Sequence, residues 1–71
     1  MSIKLHETST HRIERDPMGY YTIMRLADGE SVYQQGDDAT VVEDSFGIDD
    51  HGNLSDTAIK YFDRLCEDFL P

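Results

Sequence analysis

The last third of the chain has the clearest pattern of apolar and polar positions. Apolar residues recur at every third or fourth position from Ala58 to Leu70, which is the spacing of one face of an α-helix. Ser55 precedes this segment, and its hydroxyl group is a good acceptor for the free backbone N–H groups of a first helical turn. Asp56 then lies at the positive end of the helix dipole. The pattern predicts a helix from about Asp56 to Phe69.

Upstream of this segment the period of the pattern changes to two, which is typical of β-strands. Two turn motifs, Asp-Pro-Met-Gly at residues 16–19 and Ala-Asp-Gly-Glu at residues 27–30, separate segments rich in β-branched and aromatic residues. The predicted strands are Thr10–Arg15, Tyr20–Leu26 and Ser31–Gln35.

The next segment allows two interpretations. Its run of β-branched residues favours a further strand over Thr40–Glu43. A short helix that starts at an Asp37 or Asp38 cap is the alternative. A loop over residues 49–53 then leads to the final helix.

An amphipathic helix must bury its apolar side, and the sheet is the only other surface available in this chain. We therefore predict one domain over residues 1–71 with an α+β fold. This fold is a small antiparallel β-meander of three to four strands, with one C-terminal α-helix packed on one face. The sheet side of the core is expected to contain Ile13, Ile23, Val32, Val41, Phe46 and Ile48.

Length and composition restrict the class of protein. The chain has 71 residues, of which 38% are hydrophobic, and a domain of this size buries only about 60% of the surface of its unfolded chain. No apolar run approaches the roughly 20 residues of a membrane helix, and the N-terminal residues lack the apolar stretch of a signal peptide. The single cysteine, Cys66, cannot form an internal disulfide. A cytoplasmic protein without membrane contact is expected.

Charge is the most informative feature of the composition. The formal net charge is −9, from 15 acidic and 6 basic residues. Residues 1–26 contain four basic and three acidic residues, a net charge of +1, whereas residues 27–71 contain two basic and twelve acidic residues, a net charge of −10. No basic residue lies between Arg25 and Lys60. Direct binding to nucleic acid is not expected, because it requires clustered Lys and Arg.

The sequence has no recognisable catalytic, metal-binding or cofactor-binding motif. In the Asp-rich loop at residues 49–53, the frame of an EF-hand places non-ligand residues at required positions, and the histidines lack zinc-ligand spacing. Cys66 falls on the apolar side of the predicted helix near its C-terminal end, which raises the pKa of a thiol. We expect no catalytic residues, no metal and no cofactor, and hence not an enzyme.

Tyrosines and acidic residues are the candidate contacts for a partner. Tyr20 and Tyr21 are adjacent in a predicted strand and must face opposite sides of the sheet, so one of them lies away from the helix, where Tyr33 can join it. Tyr is also enriched at the energetically important positions of protein interfaces. The acidic candidates are Asp28, Glu30, Asp37, Asp38, Glu43, Asp44, Asp49 and Asp50, and the apolar anchors are Tyr20, Tyr21 and Tyr33.

These features favour a non-enzymatic acidic protein-interaction module that occupies a basic surface of a partner protein. Carboxylates spaced along strands and loops imitate a phosphate backbone, so a surface that binds nucleic acid is one candidate for the partner surface. Small acidic proteins of phage or plasmid origin inhibit host defence systems in this way, an analogy of size and charge. The alternative is a small structural or regulatory subunit that forms a homodimer through the uncovered side of its sheet.

Overall fold

The computed structural model of the protein describes residues 1–71. Four strands form one antiparallel sheet in the order β1-β2-β3-β4, and three helices pack on one side of it. The strands are β1 (Ile3–Glu7), β2 (His11–Arg15), β3 (Tyr21–Arg25) and β4 (Ser31–Gln34). The helices are α1 (Asp37–Phe46), α2 (Asp56–Lys60) and α3 (Phe62–Phe69). The predicted α+β fold is confirmed.

Both predicted hairpin turns are present, and an aspartate side chain closes each of them. The Asp16 carboxylate accepts hydrogen bonds from the backbone N–H groups of Met18 and Tyr20 at 2.9 and 3.0 Å. The Asp28 carboxylate accepts one from the N–H group of Glu30 at 3.0 Å. These turns connect β2 to β3 and β3 to β4.

The N-terminal residues form an edge strand that the sequence analysis did not predict. β1 pairs with β2 in the register Lys4 with Glu14 and Glu7 with Arg12, and the register shifts between Lys4 and His6. The sheet therefore has four strands, within the predicted three to four. The fourth strand is β1 and not residues 40–43.

Residues 40–43 belong to helix α1, so the strand interpretation is wrong and the helical alternative is right, but neither Asp37 nor Asp38 caps the helix. Gly36 precedes the helix without a side-chain cap, and Gly47 ends it in the left-handed conformation, with φ of 58°. Helical spacing buries Ala39, Val42 and Phe46 but leaves Val41 51% exposed. Burial of one helical face thus outweighs the β-preference of the valines. The prediction that Val41 belongs to the core is wrong.

The C-terminal helical segment has the predicted bounds but is interrupted at Tyr61, whose φ and ψ of −109° and 23° separate α2 from α3. The predicted cap is present, because the Ser55 hydroxyl accepts a hydrogen bond from the N–H group of Ala58 at 3.1 Å. Ala58 is the buried residue of α2, and Ile59 next to it is 44% exposed.

The core lies between the inner side of the sheet and the helices. The sheet contributes Ile13, Tyr21 and Ile23, all fully buried, and Val32 and Ile48 are partly buried against the core. Phe46 is buried as predicted, but on α1, and its ring centroid lies 5.8 Å from those of Phe62 and Phe69.

None of the three helices has the length and apolar composition that crossing a bilayer requires. The opposite side of the sheet has no helix packed on it, and we call it the outer sheet face.

Candidate protein-binding surface

Helix α1 presents an acidic surface to solvent. Asp37, Asp38, Val41 and Asp44 are exposed, and we call them the acidic helix face. Asp37 and Asp44 lie seven residues apart, about two turns or 10 Å along the helix, with Val41 between them. The three aspartates make no ion pair and no side-chain hydrogen bond within the protein. Asp37 and Asp38 lie in the first turn of α1, and no cationic side chain of the protein is paired with any of the three.

Glu43 lies on the side of α1 that approaches the sheet. Its carboxylate accepts a hydrogen bond from the Tyr21 hydroxyl at 2.7 Å. Burial, and then this bond, raise the pKa of Tyr21, so the tyrosine stays neutral. Tyr21 itself is fully buried. The prediction that Tyr21 is an apolar anchor for a partner is therefore wrong, because the alternation along β3 turns its ring into the core.

Two of the other predicted acidic residues have structural partners. Asp28 bonds to the N–H group of Glu30, which lowers the pKa of Asp28, and it forms an ion pair with Arg25 at 2.9 Å. Asp49 accepts hydrogen bonds from two backbone N–H groups of its own loop, both at 2.9 Å, and these lower the pKa of Asp49. Glu30 and Asp50 make no side-chain hydrogen bond or ion pair. Of the eight candidates, only Asp28 is paired with a cation.

The structure does not bring the eight acidic residues into one patch. Asp28 and Glu30 lie in the turn before β4, whereas the acidic helix face begins beyond the other end of that strand. Asp49 and Asp50 lie in a loop whose Gly52 approaches β1 and the end of β2. Helix α1 carries the largest group of unpaired carboxylates on one rigid element.

The remaining tyrosines form a pair on the outer sheet face. The ring centroids of Tyr20 and Tyr33 are 6.2 Å apart in an edge-to-face arrangement, as the strand alternation predicts. The Tyr33 hydroxyl donates to Asp16 at 2.5 Å, which raises the pKa of Tyr33 to about 12. Because α1 packs on the inner side of the sheet, this pair is not part of the acidic helix face.

A charged cluster that the sequence analysis did not identify ties α3 to the sheet. The His11 ring is buried, and its Nε2 atom lies 2.5 Å from the Glu67 carboxylate. Arg25 donates two hydrogen bonds to the same carboxylate, at 2.9 and 2.8 Å. Bonds from Arg25, followed by the bond from His11, lower the pKa of Glu67 to about 2. These partners are 42 and 56 residues apart in sequence, and no local spacing connects them.

The cysteine is in the environment that the sequence predicts. Cys66 is fully buried, and burial, together with Asp63 and Glu67, raises the pKa of its thiol to about 12. A thiol in this state is a poor nucleophile. No three His, Cys, Asp or Glu side chains are grouped so that they hold a metal ion.

Comparison with protein-family models, with curated proteins and with solved structures gives no match to this chain. Function is therefore inferred from the surface residues.

Proposed function

We propose that the protein is a non-enzymatic interaction module that occupies a basic surface of a partner protein through the acidic helix face. The observation that supports this proposal is the set of three exposed aspartates on α1 without a cation partner. Complementary charge steers association and selects the partner. A surface that is strongly negative over one helix favours a partner with clustered Lys or Arg.

The helix is also preorganised for binding. Its inner side is anchored in the core by Ala39, Val42 and Phe46, so the aspartates require little ordering of the backbone when a partner binds. Val41 is 51% exposed and lies between Asp37 and Asp44, where it offers an apolar contact at the centre of the charged surface. Buried apolar contacts within a polar rim are the usual arrangement of a protein interface.

A nucleic-acid-binding groove is the kind of basic surface that we propose for the partner, because fixed carboxylates carry the same negative charge as the phosphates of the groove's normal ligand. The proposed role is that of an inhibitor that acts as a nucleic-acid mimic. A phage or plasmid anti-defence protein in the cytoplasm is the biological setting that this role implies, by analogy of size and charge. A single, buried cysteine, Cys66, without a disulfide is compatible with that compartment.

The test compares two variants with the same net charge. In the first, Asp37, Asp38 and Asp44 are replaced by Lys; in the second, Glu30, Asp50 and Asp68 are replaced by Lys. Each replacement adds two charges, so both variants change the net charge from −9 to −3. Immobilised wild-type protein and both variants are used to capture proteins from the native host, followed by mass spectrometry.

We expect the wild-type protein and the second variant to retain the same basic partner, and the first variant to lose it. Duplex DNA added to the wild-type complex should release that partner if the contact surface is a nucleic-acid-binding groove. Equal capture by both variants would refute a specific role of α1, and release by salt but not by DNA would refute the mimicry.

A further inference from the structure

The outer sheet face has a regular arrangement of charges that the proposed function does not use. Cross-strand neighbours on one face of an antiparallel sheet form rows perpendicular to the strands. The strand registers define two such rows on this face. The first row consists of Glu7, Arg12, Met24 and Ser31, and the second consists of Lys4, Glu14, Thr22 and Tyr33.

The two rows have opposite sequences of charge. The first reads negative, positive, neutral, neutral, and the second reads positive, negative, neutral, neutral. Arg12 forms ion pairs within its own chain with Glu7 at 3.3 Å and Glu14 at 3.0 Å. The four charges of the two rows sum to zero, on a protein whose net charge is −9. It is also the side of the sheet on which no helix packs, and Tyr33 is 48% exposed there.

We propose that the outer sheet face binds the same face of a second copy of the chain, around a two-fold axis that lies between the sheets and perpendicular to the strands. Such an axis exchanges the two rows. It places Arg12 opposite Glu14 of the second copy, and Lys4 opposite Glu7 of the second copy. Each of the four charges in the two rows then faces its opposite, in addition to the ion pairs that Arg12 makes within its own chain. This is the self-complementarity that a two-fold interface requires.

The uncharged residues of the two rows are complementary in the same orientation. The exchange places Met24 over Thr22 of the second copy, next to the Tyr20–Tyr33 pair of that copy. A thioether beside an aromatic ring edge is a favourable contact. Two antiparallel sheets packed face to face are a common arrangement in proteins.

The charges of this face argue for a second copy rather than for a strongly basic or acidic partner. A basic partner would meet Lys4 and Arg12, and an acidic partner would meet Glu7 and Glu14. Elsewhere the excess of acidic residues makes two copies repel each other, so the neutral face is the surface on which they can approach. The acidic helix face lies on the other side of each sheet and stays accessible, so this inference does not depend on the proposed function.

The test inverts the charge pattern. In the inverted variant, Lys4→Glu, Glu7→Lys, Arg12→Glu and Glu14→Arg are combined, which leaves the net charge at −9 and keeps opposite charges next to each other within each copy. Sedimentation equilibrium should give a mass of twice 8.1 kDa for the wild-type protein and for the inverted variant. Mixing the two should give no mixed dimer, because like charges then face each other at all four positions. The dissociation constant of the mixed dimer should exceed that of the wild-type dimer at least about tenfold.

Wild-type protein that keeps the mass of one chain up to about 1 mM, or mixed dimers that form as readily as pure ones, would overturn the proposal. A second measurement needs only wild-type protein and does not depend on the folding of the variant. On dilution, the methyl resonance of Met24 should shift between dimer and monomer positions, whereas the methyl resonances of Ile59 on α2 should not. A shift at Ile59 with none at Met24 would place the interface elsewhere and overturn the proposal.

Discussion

The Nε2 atom of His11 lies 2.5 Å from a carboxylate oxygen of Glu67, and this contact joins strand β2 to helix α3. Arg25 on β3 donates two hydrogen bonds to the same carboxylate. The sheet and the C-terminal helix are thus connected by charge as well as by the apolar core.

This contact makes stability depend on pH. The pKa of Glu67 is lowered from 4.5 to about 2 in the folded protein, so the unfolded chain binds a proton more tightly. The stabilisation from Glu67 is therefore complete above pH 4.5 and is lost as the pH falls through 2. Chemical unfolding of the wild-type protein should show a free energy of unfolding that decreases as the pH falls over this range. The free energy of unfolding of the Glu67→Gln variant should decrease less.

The control for this prediction is Asp68→Asn, which removes a neighbouring carboxylate that has no ion pair. The free energy of unfolding of this variant should differ little from that of the wild-type protein at every pH. If the free energy of unfolding of Glu67→Gln falls as much as that of the wild-type protein from about pH 5 to 2, the contacts of Glu67 with His11 and Arg25 do not contribute to stability as described.

Helical structure at residues 37–46 predicts opposite results at two adjacent valines. Val42 is fully buried, and Val41 is 51% exposed. Val42→Ala should reduce the free energy of unfolding by about 1.5 to 3 kcal/mol, because it removes buried methyl groups and leaves a cavity. Val41→Ala should change it by no more than about 0.5 kcal/mol. Denaturant unfolding measures both, and equal losses would contradict the helix.

Gly47 is required at the end of α1 for two separate reasons. Its φ is +58°, and a Cβ atom at this position would lie 2.7 Å from the Cβ atom of Ser55. Gly29 also has a positive φ, of +74°, but a Cβ atom there would meet nothing within 4 Å. Gly29→Ala should cost about 1 to 2 kcal/mol for the backbone conformation alone, and Gly47→Ala should cost more.

The difference between the two glycine variants measures the close approach of α1 to the start of α2. Thermal or denaturant unfolding of both proteins gives this difference directly. Equal costs would mean that the loop after α1 relaxes without strain, and that the contact between Gly47 and Ser55 does not constrain it.

Local signals in the sequence predict the turns and the cap because their causes are local. Asp16 and Asp28 close hairpin turns with their own carboxylates, and Ser55 caps a helix with its own hydroxyl. The edge strand β1 and helix α1 depend on what packs against them. Val42 has a preference for strands, but its place in the fold is decided by the burial that it shares with Phe46, which no short window of sequence contains.

The sequence predicts the sign of the charge on the candidate surface but not how its acidic residues are arranged. The absence of basic residues between Arg25 and Lys60 correctly predicts exposed negative charge. It does not show that Asp28 is paired with Arg25 or that Glu43 bonds to Tyr21, because both contacts depend on the arrangement of β3. Strand alternation, by contrast, does predict that one of Tyr20 and Tyr21 lies with Tyr33 on the side of the sheet away from the helix.

The dependence of partner binding on salt tests the central proposal most directly. The dissociation constant of the captured partner is measured at increasing ionic strength for the wild-type protein and for the variant with Asp37, Asp38 and Asp44 replaced by Lys. We predict that wild-type affinity falls steeply with added salt, because exposed charges are screened, and that the variant binds weakly at every ionic strength. Binding that is insensitive to salt, or that the variant retains, would contradict the account.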